Sequence, residues 1–135
     1  MTSFTVSPPK YFEVGGSGGS GQTCKLKSIT SAGIVGNNRT VVAAITGKII
    51  RVMGFIVCPT VNNFALGNIP YITLKDGSGG TGLILYGVAN GLGGSLGLPV
   101  VDSGYAETTV STGLFMDIAI YDVYYTVFYI DYTPT

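Results

Sequence analysis

The stretch Val123–Tyr132 constrains this chain more than any other. It is rich in β-branched and aromatic residues and has no helical stripe of apolar positions, so it reads as a strand. In a strand successive side chains alternate between faces. Tyr125, Val127, Tyr129 and Asp131 therefore share one face, and Tyr124, Phe128, Ile130 and Tyr132 the other, with Thr126 interrupting the second set. Both faces are at least half apolar, which is the pattern of a strand packed on two sides. A lone hairpin or a sheet with one wet face cannot accommodate it.

Further runs of the same kind fill the chain from Gln22 onward: Thr23–Ser31, Arg39–Thr46, Lys48–Cys58, Ile69–Lys75, Leu83–Ala89, Leu98–Asp102 and Thr108–Tyr121, the last with a break. Turn signals stand at Asp76-Gly77, Asn90-Gly91 and Gly93-Gly94. No window carries the spacing and caps of a helix. The expected fold is all-β, an antiparallel β-sandwich of jelly-roll-like type with seven to eight strands, occupying residues 22–135. Residues 1–21 differ. Thr2 to Val14 alternates small polar and apolar residues around Pro8-Pro9, which favours extended backbone, and Gly15 to Ser20-Gly21 has the composition of a flexible tether. This reads as an extended N-terminal arm, with Phe4, Val6, Tyr11 and Phe12 as its anchors on a partner.

Composition narrows the function. Lys and Arg number 7, Asp and Glu 7, and charged residues make up only 10% of the chain. Phosphate binding needs a clustered positive excess, so nucleic acid is not an expected partner. A near-zero net charge on an apolar chain favours association, and self-association is expected. No apolar run approaches the ~20 residues of a spanning helix, the longest candidate, Ile49 to Pro59, being cut by Arg51 and Gly54. Aromatic girdles do not recur on every strand as a membrane barrel requires. Neither membrane insertion nor export by an N-terminal signal is expected, since Met1 to Lys10 lacks the basic-then-apolar layout.

Catalytic devices are sparse. Histidine is absent, which removes Ser-His-Asp and Cys-His sets and every His-containing metal set. Gly16–Gly21 and Gly77–Gly82 match the dinucleotide fingerprint by letters, but Leu83–Gly87 after the second reads as a strand where the chemistry needs a helix. Gly47-Lys48 is followed by Ile49, so the phosphate-loop pattern fails. Asp117 and Asp122 are the one carboxylate pair that a hairpin could bring together. Cys24 and Cys58, 34 residues apart, fit no metal motif and stand either as free thiols or as a single disulfide. The reading is therefore no enzyme, no cofactor and no metal.

The chain's nine tyrosines are its most distinctive side chains, and five of them lie between Tyr121 and Tyr132. A tyrosine suits a sandwich core and rim, a subunit interface or a sugar-stacking platform. Tyr121, Tyr124 and Tyr125 are the candidate partner-binding set on the sandwich, and with Tyr105 they would form the stacking surface of a glycan reader.

Several segments together carry a resemblance. They are Gly47-Lys48-Ile49-Ile50-Arg51-Val52, Ile72 to Thr81 with Lys75-Asp76-Gly77, Gly97-Leu98-Pro99-Val100, Thr108 to Leu114, and Val123 to Tyr129. From Gly47 to Tyr132 the chain resembles the small β-sandwich virion proteins of tailed bacteriophages. The resemblance implies a jelly-roll-like sandwich, often a homotrimer, on the outer surface of the virion. Its implied role is a capsid decoration (cement) protein bound to the major capsid protein, made in the host cytoplasm. The alternative is a tail or head fibre module that binds a host-surface glycan or receptor. The family carries no catalytic residues.

Overall fold

The computed structural model describes residues 11–14, 22–60, 71–87, 95–97, 100–101 and 104–134. Twelve strands follow one another among the described residues: β1 (Tyr11–Val14), β2 (Gln22–Lys25), β3 (Lys27–Gly33), β4 (Gly36–Val42), β5 (Ile49–Pro59), β6 (Tyr71–Asp76), β7 (Gly82–Gly87), β8 (Ser95–Gly97), β9 (Val100–Val101), β10 (Gly104–Tyr105), β11 (Leu114–Ala119) and β12 (Val123–Tyr132). No helix occurs among the described residues.

Two four-stranded antiparallel sheets form the sandwich, ordered β3-β12-β5-β8 and β4-β11-β6-β7. Read in chain order, consecutive strands switch sheet at β3 to β4, β4 to β5, β5 to β6, β7 to β8 and β11 to β12. That interleaving of two Greek keys is the jelly-roll connection. Pairs β1–β2 and β9–β10 lie outside the two main sheets.

Patterning explains the layers. Val41, Ile50, Val52, Phe55, Val57, Ile72, Leu74, Leu114, Met116, Ile118, Val123 and Val127 are buried in one core between the sheets. Along β11 the burial alternates strictly, and along β5 it would lose phase without help. A register shift between Phe128 and Tyr129 leaves Met53 of β5 without an opposite residue on β12. This bulge lets Ile50 and Val52 on one side of it and Phe55 and Val57 on the other all face inward.

Strand β12 is central. It pairs with β3 on one side and β5 on the other, and its two faces meet different cores. Val123, Tyr125 and Val127 enter the core between the sheets, whereas Ile130 and Tyr132 enter a second cluster with Cys24, flanked by Leu26, Ile49 and Met53. Segment β2 thus covers one half of the outer face of the β3-β12-β5-β8 sheet. Two-sided burial is what the sequence of this strand demands.

Several boundaries differ from those read in the sequence. Thr23–Ser31 is two strands broken at Leu26. The expected strand Arg39–Thr46 begins earlier and ends at Val42. Thr108–Tyr121 contributes only Leu114–Ala119, because residues 108–113 turn around Thr109 and Ser111. The strand expected at Leu98–Asp102 is not the one that completes the sandwich. Ser95–Gly97 pairs with β5 instead, and Val100–Val101 pairs with Gly104–Tyr105. Glycine-rich context hid β8, whose three residues are held by ladder bonds to Phe55–Val57 rather than by propensity. The turn Asp76-Gly77 is where expected, with Gly77 at φ 81°. Asn90-Gly91 and the Gly93-Gly94 turn lie outside the described residues.

Truncating the inter-sheet core tests this arrangement. Ile72 is fully buried and Ile56 is 42% exposed. Ile72→Ala is expected to lower unfolding free energy by about 2–5 kcal/mol, and Ile56→Ala by about 0.5 kcal/mol or less, both read from urea denaturation midpoints.

Candidate functional site

The two outer faces of the sandwich differ in charge. On the β4-β11-β6-β7 sheet, Lys75 and Asp117 form an ion pair at 3.1 Å. Lys75 Nζ also donates to Asn38 Oδ1 at 2.8 Å, and the same oxygen accepts from the Gly79 amide at 2.7 Å. Asn38 holds the left-handed conformation at φ 58°, which an Asn tolerates, and its amide donates to Asp117 Oδ1 at 2.7 Å. These bonds tie the irregular strand β4 to the β6–β7 turn. The cluster is internally satisfied and joins three elements.

The outer face of the other sheet falls into two halves. In the covered half, the Arg51 guanidinium lies 3.9 Å from the Tyr105 ring centroid and 5.1 Å from that of Tyr132. Arg51 Nε donates to Glu107 Oε1 at 2.5 Å, and the Tyr132 hydroxyl donates to Glu107 Oε2 at 2.9 Å. The backbone of the same segment joins β5: the Val52 amide donates to the Ala106 carbonyl and the Thr108 amide to the Ile50 carbonyl, both at 2.9 Å. This clasp fastens the segment before β11 onto β5. Every group in it has a partner, so it is a structural lock.

The open half carries the candidate site. Cross-strand register sets Tyr124 opposite Ala32 and Cys58, Thr126 opposite Thr30 and Ile56, and Phe128 opposite Ser28 and Gly54. Residues directly opposite point to one side, so these nine form a continuous three-strand surface. None is charged. Tyr124, in the end row on the central strand, is 56% exposed, and in the middle row the Thr30 and Thr126 hydroxyls bond each other at 2.7 Å. A shallow depression of about 120 Å³ lies among Thr30, Ile56, Cys58 and Tyr124. A flat, uncharged surface with one exposed tyrosine and a mutually bonded threonine pair is suited to docking against another protein.

The residues singled out in the sequence fare unequally. Tyr124 stands on this face. Tyr125 does not: it is 6% exposed and packs into the core between the sheets. Neighbouring residues of a strand face opposite ways, so the two could not share a docking surface. Tyr121 lies in the β11–β12 turn, half-buried, where the Tyr121 amide bonds the Ala119 carbonyl across Ile120 at φ 80°. Tyr105 is exposed along one side but held by Arg51. Phe4 and Val6 lie outside the described residues, and Tyr11 and Phe12 belong to β1, opposite Lys25 and Cys24. Asp117 and Asp122 do not form a pair. The first binds Lys75, and the second accepts from the Val35 amide at 2.8 Å. Cys24 and Cys58 are not joined in a disulfide. Ile56, Thr30 and Thr126 were not singled out, because only the strand register brings them to Tyr124.

Among the described residues no group of three or more Cys, Asp or Glu side chains is placed to hold a metal ion. No described helix is long and apolar enough to cross a membrane. No protein-family model matches the chain, and a search of curated proteins finds no significant match.

Burial raises the Tyr132 phenol above its ordinary 10.0, with the Glu107 hydrogen bond adding to the shift. The bond to Asp131 raises Lys27 above 10.5, and burial raises the Cys24 thiol above 9.0. Each group keeps its proton more tightly folded than unfolded. Their stabilisation is complete below the unfolded values and is lost as pH rises through the folded ones. Stability should thus hold to about pH 9 and fall above it. Tyr132→Phe should make that fall shallower, and Glu107→Ala should cost about 1.5–3 kcal/mol at pH 7 by stranding Arg51. Urea midpoints measured from pH 7 to 11 check both.

Proposed function

We propose that this chain is a bacteriophage virion structural protein of the capsid decoration type, which binds and stabilises the outer surface of the head. The observation that carries the reading is the open half of the β3-β12-β5-β8 face: nine residues, no charge, and Tyr124 exposed on its central strand. Three further points support it. The jelly-roll connection is common among viral capsid domains. The net charge of zero favours association. The segments from Gly47 to Tyr132 resemble the small virion proteins named above.

The partner in this reading is the major capsid protein, together with further copies of the chain in a homotrimer. A decoration protein needs no turnover. It needs a rigid module that repeats one modest contact many times over a symmetric shell, and multivalent attachment turns such contacts into durable binding. The N-terminal arm, with Phe4, Val6, Tyr11 and Phe12, adds contact area to the same attachment.

Co-sedimentation with capsids that lack the protein tests the proposal. Wild type is expected to pellet at a fixed ratio to the major capsid protein. Tyr124→Asp places an unpaired charge on the central strand of the face and is expected to weaken binding at least tenfold while leaving the urea midpoint nearly unchanged. Wild-type protein that stays in the supernatant, yet is retained on a host-surface glycan array, would replace the decoration role with that of a fibre module.

A further inference from the structure

The β3-β12-β5-β8 sheet has an open side. Strand β3 is its edge, seven residues long, paired with β12 and with no second neighbour among the described residues. An exposed edge of that length offers a row of unpaired amides and carbonyls, which proteins commonly cover. Beside it lies a groove of about 220 Å³ between the two sheets, lined by residues 31–34, Arg39, Thr40 and Tyr125.

Strand β1 points to an occupant in the residues that precede it. Strand β1 runs antiparallel to β2, with Val14 opposite Gln22 and Tyr11 opposite Lys25. Strand β2 leads through Leu26 directly into β3. Carried past Leu26, that register sets Pro9 opposite Lys27, Val6 opposite Thr30, Phe4 opposite Ala32 and Ser3 opposite Gly33. Ten residues precede Tyr11, and at about 3.3 Å each they outreach the seven of β3. Pro9 and Pro8 fall just past the break, opposite Lys27 and Ser28, and prolines are tolerated on an edge strand.

Side-chain alternation agrees with this register. Thr30 and Ala32 lie on the outer face with Tyr124 and Thr126, so Val6 and Phe4 opposite them would fall there too. Ser3, Thr5 and Ser7 would then face the groove side. A slip of one residue would reverse this and set both apolar residues over the groove mouth.

We infer that residues 3–7 add to β3 of the same chain as an antiparallel edge strand, so that Phe4 and Val6 enlarge the uncharged face around Tyr124. The ligand of this edge is thus the protein's own extended peptide, bound by strand addition. The enlargement of a docking face rests on the proposed function; the strand addition does not.

Hydrogen–deuterium exchange on the free protein tests it, comparing the full chain with one beginning at Tyr11, which keeps β1 and β2. In the full chain, alternate amides of residues 28–33, those directed away from β12, should be protected. Removing residues 1–10 should speed their exchange by about tenfold or more, while amides bonded to β12 stay protected. Equal exchange in both chains would overturn the inference. Protection that rises with protein concentration would also overturn it, by assigning the edge to another copy's arm.

A second measurement fixes register. Opposite residues of an antiparallel pair have Cα atoms about 4.5–5.5 Å apart, within disulfide range. With Cys24→Ala and Cys58→Ala in the background, Phe4→Cys with Ala32→Cys should close within one chain, and Thr5→Cys with Ala32→Cys should not. The reverse result, or a link between chains, would contradict the pairing. Both readouts use the free protein, so a failure to bind capsids leaves them standing, and an arm that does not pair leaves the Tyr124 face to be judged by co-sedimentation.

Discussion

The burial of β12 on both of its faces is the constraint on which the rest of the structure depends. Its inward residues Val123, Tyr125 and Val127 join the core between the sheets, and Ile130 and Tyr132 at its far end are just as buried on the opposite face. A central strand of this kind needs a neighbour on each edge, an opposing sheet and a cover over the outer face. The first two give the sandwich. The third gives the clasp of Arg51, Glu107 and Tyr132 and the packing of Cys24 and Leu26. Because the cover ends near Met53, the other half of that face is left open around Tyr124. The candidate site is therefore a consequence of how far the cover extends.

Charge distribution follows the same division of labour. The chain has few charged residues, and those with described ion pairs are used inside the protein: Lys75 with Asp117, Arg51 with Glu107, Lys27 with Asp131. Each pair joins segments far apart in sequence. Breaking a partly buried pair leaves a charge without compensation, which makes such pairs effective at specifying one arrangement even where their net stabilisation is modest. The open half of the β3-β12-β5-β8 face has no such pair among its nine residues, and its two threonine hydroxyls bond each other.

Much of this architecture was legible in the amino-acid pattern and some was not. Val123–Tyr132 was readable to the residue, because apolar and aromatic positions on both faces leave a central strand as the only comfortable solution. The all-β class followed from β-branched runs between Gly and Asn turns. Strand β8 was not readable: Ser95–Gly97 has no propensity of its own and exists because β5 offers an edge. The candidate face was half legible. Tyr124 is exposed on that face, whereas the two-residue period already forbade Tyr125 from sharing it. Ile56 and Thr30 lie 68 and 94 positions before Tyr124 in the chain, and only the register of three strands brings them together. The Arg51–Glu107 pair, 56 residues apart, was hidden for the same reason.

The central claim is that the open half of the β3-β12-β5-β8 face is the surface that meets the capsid. Cryo-electron microscopy of capsids decorated with the purified protein tests it most directly. The account predicts density for a jelly roll seated with Tyr124, Ile56 and Thr30 against the shell, and with the sheet that carries Lys75 and Asp117 turned to solvent. A jelly roll seated on the opposite sheet, or standing on its β11–β12 turn, would contradict it.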